Sequence, residues 1–445
     1  MRRWVGLAAV CLLIVAVRLA MPAEASAATA AMALGFVLLV AFVLGRAVRR
    51  FGLPSITGYI LVGMVSGPYL LGWLHPAFAV LGHSAVSNLR LLDGVALGLI
   101  ALSAGGELKL DAVRHHARAI AFVIAAMLVL VCGGTALLVL GLHRWAPALA
   151  DMPLPVAWVT AMLLGTIALT NSPAVTLALM REMRPRGAVS QIVLAIVVVN
   201  DLVVIVLFTL VLAVAGLLLR PEAGFSVAFL LDLGWEMAGS IALGVALGWL
   251  VAWYLERIDQ ERPLLVLGTA FVAVAVLPAM HLSGVLALMV AGFFIENHSP
   301  HGQGLMDAID RHSLPVYVVF FTIAGAHLNL ETLARIWPLA VGIAIVRGVL
   351  IALSTWWATR LAGAEPSVQR WAWTGLIPQA GVAIGLAVIV ESRLPEAGTL
   401  LNALVVALIA VNQIVGPILA RLGLIRVGEA QPEEERRSAR APARG

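Results

Sequence analysis

Runs of roughly twenty apolar residues follow one another along nearly all of this sequence. Each is long enough to cross the hydrocarbon core of a bilayer as a helix. In lipid a chain must satisfy every backbone N–H and C=O internally, which leaves only helices or a closed β-barrel. A barrel would alternate polar and apolar residues in short segments, and these runs do not alternate. The fold class is therefore an all-α polytopic membrane protein. Composition agrees: 62% of the 445 residues are hydrophobic and only 12% are charged, against about 25% charged in a soluble domain. The net charge of +5 does not point to nucleic acid, because much of it is Arg in short loops, where it acts as a topogenic signal. Cys11 and Cys132 both lie in apolar runs and support neither a disulfide framework nor a zinc site.

The apolar segments fall at about 4–20, 28–46, 54–73, 89–110, 117–141, 154–180, 188–216, 224–255, 263–280, 282–297, 313–329, 336–361, 369–391 and 399–423. The first is signal-like: a basic MRRW, a short apolar VGLAAVCLLIVAV and a small-residue AEASAA. Residues 1–27 are thus a signal peptide or an extra N-terminal helix, and 13 transmembrane helices follow. Their loops alternate in charge. One side carries Arg46, Arg49 and Arg50, then Lys109, Arg114 and Arg118, then Arg181, Arg184 and Arg186, then Arg257 and Arg262, then Arg311, then Arg360 and Arg370. The other carries single arginines at 90, 144, 220, 335 and 393. The positive-inside rule makes the first side cytoplasmic and the C-terminus cytoplasmic. The chain ends in a charged stretch, 424–445, whose composition reads as disordered.

Two helices, near 154–180 and 369–391, carry polar, proline-bearing interruptions. The first reads LTNSPAV, with Thr170, Asn171, Ser172 and Pro173; the second reads LIPQAGVAIG, with Pro378 and Gln379. Unwound backbone at membrane depth is tolerated only inside protein or against a water-filled cavity. Each interrupted helix is the middle member of a three-helix group, 117–216 and 336–423. With 13 crossings the two groups run in opposite senses, the arrangement of an inverted repeat. Paired interruptions in such repeats point to a transporter's binding site.

Asp201, in VVVNDLVVIV, is the acid near the midplane of the first group, and Arg347, in IAIVRGVLIA, is the basic residue near the midplane of the second. A carboxylate deprived of hydration gains by binding a proton or a cation in place of the lost water. Hard-oxygen chemistry suits a bare cation. An acid that takes either, but not both, makes exchange obligatory. The competing reading is a permanent Asp201–Arg347 salt bridge between two helices. Asn200 is placed to contact Arg347 or a helix end. Asn412 and Gln413, in AVNQIVGP, either line the site from the last helix or join helices as polar glue. Glu107, Asp93, Glu296 and Glu391 fall near helix ends.

From about residue 30 to 425 the chain resembles the monovalent cation:proton antiporter superfamily, which includes Kef-type and bacterial sodium/proton antiporters. The matching stretches are LPSITGYILVGMVSGPYLLG, ALSAGGELKL, TNSPAVTLALMRE, IVVVNDLVVIVLF, FFTIAGAHLNL and IPQAGVAIGLA. The resemblance implies the inverted-repeat sodium/proton antiporter fold with two broken crossing helices. It implies a homodimer in the bacterial cytoplasmic membrane, with dimerisation helices at 28–110 and 263–297 and a linker helix at 224–255. The ion-transporting core would be 117–216 and 336–423, moving in an elevator-like cycle. It makes Asp201 the cation- and proton-binding acid, with Asn200, Thr170, Asn171 and Ser172 around it, supported by Arg347, Gln379, Pro173 and Pro378. The cation and proton are cargo; no resident cofactor and no nucleic acid is expected.

Two departures bear on mechanism. Electrogenic relatives have a second Asp where Asn200 stands and a Lys where Arg347 stands, and neither residue here titrates. One titrating acid implies one proton per cation, hence electroneutral exchange. Many electroneutral relatives have an Asp immediately before the proline, where this chain has Ser172, which leaves sodium and potassium both open. Kef-type members carry a nucleotide-binding domain after the membrane part. None is found in this sequence, so glutathione or nucleotide gating is not expected. The alternatives are a sodium-coupled organic-anion symporter of similar fold and a channel- or sensor-like homologue. Enzyme motifs such as HExxH, GxSxG and the P-loop are missing from the sequence.

Overall fold

The structure is a computed structural model that describes residues 26–51, 53–70, 80–82, 88–106, 108–150, 152–219, 227–257, 262–300, 302–326, 330–379 and 381–430. The signal-like segment lies outside these, apart from Ser26 and Ala27 in the first helix. Glu107 also lies outside.

Every regular element among the described residues is helical. In chain order they are α1 (Ser26–Phe36), α2 (Phe42–Val48), α3 (Ser55–Ser66), α4 (Arg90–Gly106), α5 (Leu110–Met127), α6 (Gly134–Leu142), α7 (Leu154–Ile167), α8 (Pro173–Met183) and α9 (Ala188–Leu219). Then come α10 (Val227–Arg257), α11 (Arg262–Val276), α12 (Gly284–His298), α13 (Gly302–Ala326), α14 (Leu330–Leu361), α15 (Pro366–Trp371), α16 (Gly381–Arg393) and α17 (Pro395–Val427). Among the described residues, seven helices are long and apolar enough to cross a membrane, with six shorter apolar helices beside them. Large apolar side chains stand exposed on the outer surface, including Val129, Trp158, Trp249 and Trp357. Water would penalise such a surface; lipid does not.

The chain forms two compact units. In the first, α12 packs against α4 and α10, and α13 packs against α3 and α4. Backbones approach closely at small residues, the usual device where lipid supplies no hydrophobic drive between helices. A Cβ on Gly292 would strike the Leu102 carbonyl, and one on Gly105 would strike the Met289 carbonyl. The end of α12 is tied down by Asn297. Its amide donates to the Leu108 carbonyl at 2.8 Å, and its oxygen accepts from Leu110 N at 2.7 Å. Beside it, Lys109 pairs with Glu296 at 3.7 Å.

The second unit holds α5–α9, most of α14, and α15–α17. Its chain order repeats a pattern: a long helix (α5–α6 through a π-turn at Leu128–Gly133), a split helix (α7 and α8), then a long helix (α9). The pattern recurs as α14, then the split pair of α15–3₁₀ turn (Ala372–Leu376) and α16, then α17. α7 packs against α6, α9 and α17, while α17 also packs along α16 and the 372–376 turn. Of the stretch 424–445 expected to be disordered, residues 424–430 are ordered, and 431–445 lie outside the described residues. α17 continues to Val427, and Gly428 ends it in the left-handed conformation at φ +80°. The Leu-Ile-Arg-Val run carries the helix on; the Gly stops it.

Candidate cation-binding site

The two breaks follow from local chemistry. Proline disfavours helical geometry in the residue before it and lacks the amide an interior helix position needs. α7 therefore ends at Ile167. Pro173 restarts the chain as the first residue of α8, and Ser172 caps it by accepting from Val175 N at 3.2 Å. In the second break, Ile377, Pro378 and Gln379 are non-helical. α17 meets this segment at Gly416, where a Cβ would lie 2.7 Å from Pro378 Cα.

A helix end leaves four carbonyls without intrahelical partners. Leu164 O and Thr166 O accept from the amides of Ala168 and Leu169, and the carbonyls of Ile167 to Thr170 each find a donor in a side chain. Gln379 Nε2 donates to Ile167 O at 3.0 Å. Arg347 Nε donates to Ala168 O at 2.6 Å, and its Nη2 to Thr170 O at 2.8 Å. Asn200 Nδ2 donates to Leu169 O at 2.8 Å. The second break is served in the same way. Arg347 Nη1 donates to Ile377 O at 2.9 Å, and Asn171 Nδ2 donates to Leu376 O at 2.5 Å. One guanidinium thus bridges both breaks, its charge facing the negative ends of two helical segments.

Side chains close the network. Asn200 Nδ2 also donates to Asn171 Oδ1 at 2.9 Å. Gln379 Nε2 donates to Thr170 Oγ1 at 2.7 Å, and Asn412 Nδ2 donates to Gln379 Oε1 at 3.0 Å. Asn200, Arg347, Gln379 and Thr170 are each 0% exposed.

Asp201 stands apart. It is 7% exposed, next to Asn200 on α9, and its Oδ1 is buried with no hydrogen-bond partner. Asn200 Oδ1 is buried and unpartnered as well. No ion pair joins Asp201 to Arg347, whose three nitrogens each donate to a main-chain oxygen. The salt bridge weighed as the competing reading is not formed. The Asn200 amide and the three Arg347 nitrogens donate elsewhere, and free carboxylate and amide oxygens remain. A buried acceptor left unpaired costs about 1–3 kcal/mol, which a proton or a cation at that oxygen would recover.

The sequence-predicted residues therefore divide. Asn200, Asn171, Thr170, Gln379 and Arg347 meet in one network. Pro173 and Pro378 shape the two breaks. Ser172 spends its hydroxyl on the α8 cap. Of the two amides in α17, Asn412 joins the network through Gln379, and Gln413 keeps a buried, unpartnered Oε1. Sequence reasoning missed the role of the main-chain carbonyls of Ala168 and Ile377 and the close approach at Gly416. The Gly in VNQIVGP was the available signal for the latter.

Residues 35–422 match the profile of the transmembrane sodium/hydrogen exchanger family. This chain, helical in every regular element among its described residues, belongs to that family. Among curated proteins it is 26% identical over 405 residues to the glutathione-regulated potassium-efflux system protein KefC of Salmonella typhi, and equally to that of Salmonella newport. The match covers 87% of this chain and 60% of the relative. Among solved structures, the sodium proton antiporter MjNhaP1 of Methanocaldococcus jannaschii matches with a TM-score of 0.62 at 19% identity, covering 90% of this chain and 96% of that one. A second MjNhaP1 structure, from electron microscopy, gives 0.68 at 16% identity, covering 90% and 98%. At these identities the structures speak for the fold.

Proposed function

We propose that this protein exchanges a monovalent cation, Na⁺ or K⁺, for H⁺ across the bacterial cytoplasmic membrane, at Asp201. The observation that carries the reading is the unpartnered Asp201 Oδ1 beside a network whose amides and guanidinium donate to other oxygens. A protonated Asp201 is neutral and offers no charge to a cation. A deprotonated one binds the cation through its oxygens, with the free Asn200 Oδ1 as a further ligand. One acid serving both partners in turn forbids carriage of both at once, which is the condition for coupled exchange.

Stoichiometry follows from what surrounds the acid. Asn200 carries no titratable proton, and Arg347 is fixed on three carbonyls, where its charge stays constant through the cycle. One proton then leaves for each cation bound, and exchange is electroneutral. A transport step that moved net charge would respond by about 2.3 kcal/mol per 100 mV. The cross-stitched breaks keep the site's geometry while the unit that carries Asp201 moves as one body in an elevator-like cycle. The protein works as a homodimer, with its C-terminus cytoplasmic as the loop arginines require.

The test uses everted membrane vesicles from an antiporter-deficient host. A proton gradient is established, Na⁺, Li⁺ or K⁺ is added, and dequenching of a pH-sensitive dye is followed with and without a potential clamp. The wild type should dissipate the gradient with at least one of these ions, equally under the clamp, and Asp201→Asn should not. Dissipation by Asp201→Asn at the wild-type rate would overturn the assignment. Failure of every cation, with uptake of an organic anion coupled to sodium, would place the protein among symporters instead.

A further inference from the structure

The N-terminal end of α9, the helix that carries Asp201, is held by a residue from the far end of the chain. α9 starts without a cap of its own: Gly187 precedes it, and its first turn contains no acidic residue. Its first amides would otherwise lack partners. Glu429 supplies them across 240 positions of sequence, its Oε1 accepting from Val189 N at 2.7 Å and its Oε2 from Ser190 N at 2.9 Å. The Glu429 carbonyl accepts from Arg186 N at 3.2 Å. A carboxylate here also opposes the positive end of the helix dipole.

Both sides of the contact are shaped for it. Gly428 turns the chain out of α17, and the amides of Glu429 and Ala430 bond back to Leu424 O at 3.1 and 3.3 Å. Glu429 is thereby held on the end of α17. On the other side, any Cβ on Gly187 would collide with the Glu429 carboxyl group. The latch joins two helices that each reach one of the breaks. α9 reaches the first through Asn200, and α17 reaches the second through Asn412 and Gln379.

We propose that Glu429 is a positioning residue for the exchange, one that fixes the start of α9 against the end of α17 and so holds Asp201 and the two breaks in the cation-binding arrangement. The inference rests on the reading of Asp201 as the exchange site. Asp201 lies twelve residues beyond Val189, about 18 Å along the helix, so Glu429 acts through the helix and not on the ion. When only a fraction of molecules holds the competent arrangement, the apparent affinity falls by that fraction.

The full-length protein is reconstituted in liposomes, and cation KM and maximal rate per folded transporter are measured for wild type, Glu429→Ala, Glu429→Gln and Gly187→Ala. Hydrogen exchange is followed over the peptide spanning 186–192. Glu429→Ala and Gly187→Ala should raise the cation KM about two- to thirtyfold, the span of a lost helix cap, with the maximal rate changed less. Glu429→Gln, which keeps a neutral acceptor, should fall between them and wild type. A variant combining Glu429→Ala with Gly187→Ala should be no worse than either single, and exchange over 186–192 should quicken in Glu429→Ala. An unchanged KM in both Glu429→Ala and Gly187→Ala overturns the assignment, even if folded yield or maximal rate falls. A wild type that moves no cation overturns the exchange reading itself, an outcome distinct from the first.

Discussion

Asn200 and Asn171 are locked together across the first break: the Asn200 amide donates to Asn171 Oδ1 at 2.9 Å and to the Leu169 carbonyl at 2.8 Å. Asn200 acts here as a donor. Asn200→Asp places an acceptor-only carboxylate against two oxygen acceptors, in a position that is fully buried. The substitution resembles the pairing of acids in electrogenic relatives, yet this scaffold is not built for it. Each stranded acceptor costs about 1–3 kcal/mol, so a stability loss on the order of 3 kcal/mol is expected, with a fall in exchange rate. Thermal unfolding in detergent, read by size-exclusion chromatography, checks the first. Exchange under a potential clamp checks whether any residual transport stays electroneutral.

Arg347 makes three hydrogen bonds to main-chain oxygens on two separate segments. Arg347→Leu would leave the Ala168, Thr170 and Ile377 carbonyls without those donors. Bonds from a charged group are worth about 1.5–3 kcal/mol each, and because three share one side chain their loss is not additive. A destabilisation of roughly 4 kcal/mol is expected, a large share of the stability of a marginally stable protein, and folded yield should fall. Arg347→Lys keeps the charge but lacks the planar fork that reaches both breaks, and should recover only part of the yield. A Leu variant that melts with wild type and exchanges normally would show that the stitching is dispensable.

The apolar helices, the two interruptions and the isolated acid were legible because they rest on side chains: apolar length, proline, and a carboxylate with no basic neighbour within a turn. The partner of Arg347 was not. Its acceptors are backbone carbonyls, and every residue has one, so Ala168 and Ile377 carry no mark in the sequence. Asp201 was the visible candidate because it is the visible charge. Ser172 was read from resemblance as a site residue, although Ser directly before Pro at a helix start also signals an N-cap, and the structure uses it so. Asn412 and Gln413 are adjacent and so point about 100° apart on α17; which one met Gln379 depended on the rotation of that helix. Glu429 was hidden by its neighbours, since EAQPEEERR reads as a solvated tail and the amides it caps lie 240 positions away.

Gly416 and Gly385 offer a matched pair of tests. A Cβ on Gly416 would lie 2.7 Å from Pro378 Cα and 2.9 Å from Pro378 N, whereas one on Gly385 meets nothing within 4 Å. Backbone at such a contact cannot rotate away as a flexible side chain can. Gly416→Ala should therefore push α17 off the second break, at a cost of about 1–3 kcal/mol, and weaken the Asn412–Gln379 bond formed one turn earlier. Gly385→Ala should be neutral or stabilising by up to about 1 kcal/mol, through helix propensity alone. Melting curves of the two variants run side by side decide it. Equal effects would mean that the close approach at Pro378 is not limiting.

Gln379 links the first break to α17: it donates to Ile167 O and Thr170 Oγ1, and it accepts from Asn412. If those bonds form one unit, Gln379 and Asn412 are energetically coupled. Gln379→Leu alone strands the Asn412 amide in a buried position, and Asn412→Leu alone strands the Gln379 oxygen. Each should cost on the order of 2 kcal/mol. The double substitution removes both ends of the bond and leaves no stranded partner between them, so it should cost less than the sum of the singles by about 0.5–1.5 kcal/mol. A double-mutant cycle on melting stability measures that difference. The same four proteins assayed for exchange separate scaffold from site: strict additivity in stability would show that Asn412 and Gln379 are independent.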